Sequence, residues 1–152
     1  MKKFVRFGFV SAAILAVQLA PVPMAYAGPI EDRQAAMKAV SESTKALAAV
    51  VRGERPFFAE LVERHGDRIL NSFIKAQKLF NNGVETKGST AKATIWSKPD
   101  GFARIFAGGI AGAKAAAAAG ANSDPAALKA AFGQLAQSCK SCHEGYRLPK
   151  GW

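Results

Sequence analysis

Apolar side chains recur every three or four positions through most of this chain, and no stretch alternates as a half-buried strand does. From about Ile30 to Val51 the positions Ile30, Arg33, Met37, Val40, Thr44, Leu47 and Val51 step along one helical seam. The pattern predicts a bundle helix that Gly53 ends. A second segment runs from about Pro56 to Phe80, with Pro56 in its first turn. Phe58, Leu61, His65, Ile69, Phe73, Ala76 and Phe80 lie along one side of it, and Gly66 is expected to weaken it locally. Asn81 to Pro99 reads as irregular, with turn signals at Asn82-Gly83 and Lys87-Gly88. Such a long connection between helices needs a reason, and a crossover in a four-helix bundle is one. The third segment, about Asp100 to Ala119, is rich in alanine and glycine around Phe102, Ile105, Phe106 and Ile110. Asp124 and Pro125 read as N-cap and first-turn proline of the fourth. Leu128, Phe132, Leu135, Cys139, Cys142 and Tyr146 form its inward seam, and Pro149 stops it. The class is all-α.

The fourth segment carries the candidate chemistry. Cys139-Lys140-Ser141-Cys142-His143 is a C-x-x-C-H pentad, the attachment signature of c-type haem. On a helix, residues three and four apart are neighbours, so both thiols and the imidazole address one object lying against that face. A redox dithiol, a structural disulfide and half a zinc site are the alternatives. Zinc needs four ligands, whereas the chain has two cysteines and two histidines, and the second histidine, His65, stands alone far upstream. A thioredoxin-like dithiol expects strand–helix alternation, which is missing from the pattern.

Residues 1–27 read as a secretory signal. Lys2, Lys3 and Arg6 precede an apolar run from Phe7 to Ala20, and Ala25-Tyr26-Ala27 supplies a small-residue cleavage site. The mature chain is then Gly28–Trp152, one domain's worth, expected in the periplasm without stable insertion in the membrane. Export suits a disulfide as well as haem attachment. The formal charge of the whole chain is +10, and losing Lys2, Lys3 and Arg6 leaves the mature chain basic. A basic surface favours acidic protein partners. No aromatic-interleaved basic patch suggests nucleic-acid binding.

Taken together, Arg33-Gln34 followed by Met37, Ile95-Trp96-Ser97, and the run Cys139-Lys140-Ser141-Cys142-His143-Glu144-Gly145-Tyr146-Arg147 resemble the class II cytochromes c. That family comprises cytochrome c′ and its low-spin relatives. The resemblance covers essentially the whole of 28–152. It implies an antiparallel four-helix bundle with one covalently bound haem c and its iron. Cys139 and Cys142 match the thioether residues, and His143 matches the proximal axial ligand. Arg33 and Gln34 match a pair near the haem propionates, and Arg147 matches a cation in the proximal pocket. Trp96 matches an aromatic before the third helix that packs either near the haem edge or in the core.

Met37 matches the position that separates two functions. As the only methionine outside the signal, it is the candidate sixth ligand. Ligation would give a low-spin His/Met haem suited to electron transfer between redox partners. An unbound Met37 would leave a five-coordinate, cytochrome c′-like iron that binds or sequesters nitric oxide or other small gases. The expectation favours the electron carrier, not an enzyme, acting as a monomer or homodimer. A glycine-rich second half, with Gly101, Gly108, Gly109, Gly112 and Gly133, departs from the family pattern.

Overall fold

A computed structural model describes residues 28–81 and 86–149. The signal-like segment 1–27 and the Asn82-Gly83 turn lie outside the described residues. Five helices follow in order: α1 (Pro29–Val51), α2 (Ala59–Asn81), α3 (Thr94–Ser97), α4 (Pro99–Ala121) and α5 (Pro125–Tyr146). The four long ones form the expected bundle, and α3 is a single turn within the connection.

Each helix end has a local cause. Pro29 opens α1 with Glu31 and Asp32 in the first turn, where carboxylates oppose the helix dipole. Gly53 turns the chain out at φ 73°, a region that costs glycine little. The amides of Glu54 and Arg55 both fold back to the Ala49 carbonyl, at 2.9 and 3.2 Å. These bonds commit the chain to closing α1, so α2 begins at Ala59 and not at the expected Pro56. Asp124 caps α5 as expected, its carboxylate accepting from the Ala127 amide at 2.9 Å.

The helices pair antiparallel. Gly66 faces the Ala117 backbone and Gly120 faces that of Glu63, so residue numbers rise along α2 as they fall along α4. A Cβ on Gly66 or Gly120 would collide with the opposite main chain. Gly66 is therefore a contact that lets two backbones meet. A local weakness in α2 was expected instead, and it is unbroken through this position. Gly112 does the same toward α5, where a Cβ would come within 3.0 Å of the Leu135 amide nitrogen. Across α1 and α2, Ser43 meets His65 and Glu42 meets Arg68. The α2 stripe runs through Val62, Gly66, Ile69, Phe73 and Ala76. Phe58 and Leu61, assigned to the seam by periodicity, are instead 57% and 44% exposed, because the close approach to α4 turns Val62 and Gly66 inward.

The core is Val40, Leu47, Val62, Ile69, Phe73, Phe102, Phe106, Leu128 and Leu135, with alanines filling the spaces between them. The circuit α1–α2–α4–α5 is tightly packed except between α1 and α5, where the helices touch sparingly. That loose seam holds the site.

Candidate cofactor site

α5 delivers the pentad to the loose seam. Cys139 and Cys142 are free thiols, half-buried, one turn apart on the same wall. His143 follows on that wall. Facing them, α1 presents Arg33, Gln34, Met37, Val40 and Thr44. The floor is Phe73 and Phe80 from α2 with Phe102, Ile105 and Phe106 from α4. Together they enclose a cavity of about 550 Å³, within the range of cofactor pockets. All seven site residues read from the sequence line it: Arg33, Gln34, Met37, Cys139, Cys142, His143 and Arg147.

The electrostatics suit neutral donor groups. Burial pushes the Cys139 thiol up, and burial together with its neighbour Cys139 pushes Cys142 up to about 11. Both are protonated at neutral pH. Partial desolvation, then the Arg147 charge, lowers His143, so its imidazole stays neutral with a free lone pair. Among the described residues, no carboxylate lines the cavity.

Arg33 is 4% exposed. Its Nε donates to the Pro29 carbonyl at 3.1 Å, and its guanidinium lies 5.1 Å from the Phe80 ring centre and 5.7 Å from that of Trp96. Those two faces hold the cation at the end of the cavity. Trp96 itself does not line the cavity. Its indole donates to the Phe80 carbonyl at 2.8 Å, which places it in the α2–α3 packing and not at the cofactor edge.

Arg147 is fixed by an element the sequence did not reveal. Ala91 and Arg147 form an isolated antiparallel bridge. The Lys92 amide donates to the Tyr146 carbonyl at 2.9 Å, and the Leu148 amide to Thr90 at 2.7 Å. The connection thereby adds Ser89, Thr90 and Ala91 to the cavity wall beside the pentad. No local signal marks this pairing, since its two partners lie far apart in sequence. Tyr146 packs edge-on to Phe102 at 5.4 Å. His65 is elsewhere, its Nδ1 3.3 Å from Ser43 Oγ between α1 and α2.

A covalent haem fits these residues. Two thiols on one helical face suit attachment to the edge of one macrocycle, the adjacent neutral imidazole suits its iron, and the aromatic floor suits its apolar ring. Zinc does not fit, for among the described residues no three histidine, cysteine or carboxylate groups are placed to hold one metal ion. Among the described residues, no helix is long and apolar enough to cross a membrane.

Comparison with known proteins agrees. The family model "Cytochrome C′" matches residues 28–147. Cytochrome c′ of Rhodopseudomonas palustris is 36% identical over 122 residues, 80% of this chain and 82% of that one. Cytochrome c-556 of Agrobacterium tumefaciens is 34% identical over 124 residues, 82% of this chain and 100% of that one. A nitric oxide complex of a cytochrome c′ variant from Alcaligenes xylosoxidans superimposes with a TM-score of 0.72 at 27% identity, covering 82% of this chain and 99% of that one. With fold, pentad and family match in accord, the chain belongs to the cytochrome c′ family and carries that family's single covalent haem c.

Proposed function

We propose that this protein is an exported monohaem cytochrome of the c′ type that binds nitric oxide or another small neutral gas at its iron. Residues 1–27 serve as the export signal, and 28–152 form the haem domain. In this reading Cys139 and Cys142 form the thioethers and His143 is the axial ligand. Arg33 and Gln34 take the propionate end, and Arg147 stands beside His143. When bound, the haem supplies an iron that accepts a small ligand and exchanges one electron. The chain's own residues position that group, exclude water with their phenylalanine floor, and keep His143 neutral.

One observation carries the reading. Among the described residues His143 is the one imidazole lining the cavity, and the α1 wall opposite, with Arg33, Gln34, Met37, Lys38 and Lys45, brings no second imidazole and no carboxylate to it. The similarity to a solved nitric oxide complex supports the same side. The comparisons thus favour gas binding over the His/Met electron carrier that the sequence led us to expect. That carrier remains the second reading because Met37 lines the cavity on the wall facing the pentad. Redox partners, acidic ones included, belong to that reading.

Optical spectra of the purified holoprotein, ferric and ferrous, with and without carbon monoxide, test the choice. Gas binding predicts a high-spin spectrum and ready carbon monoxide uptake by the ferrous form. A low-spin spectrum in both states, unmoved by carbon monoxide, would establish the carrier instead.

A further inference from the structure

A second cleft of about 290 Å³ opens between the end of α2, the single turn α3 and the start of α4. Gln77, Asn81, Pro99 and Ala103 line this cleft only, none of them reaching the cofactor cavity. Four of its residues, Phe80, Ile95, Phe102 and Phe106, also line the cofactor cavity. A residue that borders both spaces separates them by no more than its own thickness. The partition is aromatic and close-knit, with ring centres 5.2 Å apart for Phe80–Phe102 and 5.0 Å for Phe102–Phe106.

The partition is uneven. Phe102 and Phe106 are 5% and 3% exposed, whereas Phe80 is only half-buried. The Phe80 backbone is pinned where its carbonyl accepts from the Trp96 indole at 2.8 Å. Its ring packs against the edge of the core, with edge contacts to Phe102 and Phe106 and the Arg33 cation over its face, interactions of about 1 kcal/mol each. Of the three rings, that of Phe80 is the least enclosed over a fixed backbone.

We propose that this cleft is a binding site and antechamber for small neutral gases, and that motion of the Phe80 ring admits them to the cofactor cavity. Phe80, Trp96, Phe102 and Phe106 in its lining offer such a guest dispersion contacts, and among the described residues no charged side chain lines the cleft to compensate an ion for lost water. Apolar cavities of about half this size hold xenon. The proposal rests on the gas-binding function for its purpose, but the cleft and its partition exist whichever function holds.

The test uses the holoprotein. Crystals of the wild type under xenon pressure should show xenon in the cleft, and Ala103→Phe should remove it. Ala103 lines the cleft and not the cofactor cavity, and it is exposed, so the larger ring fills the cleft without replacing a core residue. Carbon monoxide association with the ferrous protein should slow about threefold or more in Ala103→Phe and quicken in Phe80→Ala. The rates are also measured in a Met37→Ala background, where no thioether competes for iron. Xenon absent from the wild-type cleft overturns the proposal. So does an association rate that Ala103→Phe leaves unchanged in both backgrounds. A wild type that refuses carbon monoxide, with a Met37→Ala form that Ala103→Phe slows, sinks the gas-binding function and sustains the antechamber.

Discussion

The α2–α4 seam and the α1–α5 seam are built by opposite means. In the first, Gly66 and Gly120 remove side chains where backbones meet, and Ala113, Ala116 and Ala117 fill what remains. In the second, long side chains line two walls that stay apart around a cavity of about 550 Å³. A bundle that closes by itself on one side holds its shape while the other side waits for a cofactor. The close seam is self-sufficient protein packing, and the open one is completed by something other than protein.

The largest effect should come from depriving the open seam of its occupant. Cys139→Ala with Cys142→Ala leaves the haem without a covalent anchor. The expected loss of stability exceeds the ~4–5 kcal/mol that marks exceptional single-site damage. Thermal unfolding should broaden, with α1 losing protection first in hydrogen exchange. A double variant that unfolds as sharply as the wild type would mean that the open seam needs no occupant.

The close seam should fail differently. Gly66→Leu drives a side chain into the Ala117 backbone and should cost about 3 kcal/mol in denaturant unfolding, with the haem spectrum unchanged. Gly133 is an exposed helical glycine with nothing within 4 Å, so Gly133→Ala should stabilise by up to about 1 kcal/mol. Equal responses at the two glycines would deny that the close approach to Ala117 is what requires Gly66.

Met37→Ala sharpens the open seam's chemistry. Met37 is half-buried on the cavity wall, so the stability cost should be about 1–2 kcal/mol. With gas binding the spin state stays as it was, whereas a change from low to high spin would identify the thioether as a ligand.

The smallest effect lies at the α1–α2 contact. His65 titrates below its ordinary value, through desolvation first and then the Arg68 and Arg64 charges. The unfolded chain therefore takes up this proton more readily than the folded one. Stability present above pH 6.5 is lost as the pH falls through that value toward the lower folded one. His65→Gln keeps a partner for Ser43 without the titration, and should flatten this part of the stability–pH curve. A curve identical to the wild type would remove His65 from the account.

What the sequence made legible was what neighbours in sequence decide. The Asp124-Pro125 start of α5 and the facing of Cys139, Cys142 and His143 follow from helical spacing and local hydrogen bonds. The seven candidate site residues line one cavity. Distance hid the rest. Gly66 reads as a flaw until Ala117 is set against it, because a glycine's partner leaves no mark on the glycine. The start of the α2 stripe follows from the same approach, so periodicity placed Phe58 and Leu61 on the wrong side. The Ala91–Arg147 bridge joins two backbones through amides and carbonyls that every residue possesses. Trp96 was legible as an aromatic near the site, but its side of the Phe80 partition was not.

The most direct test is the intact mass of the protein purified from a host that attaches haem in its periplasm. The account predicts cleavage after Ala27 and a single haem added to the peptide that holds Cys139 and Cys142. A full-length or mature chain of unmodified mass would contradict it.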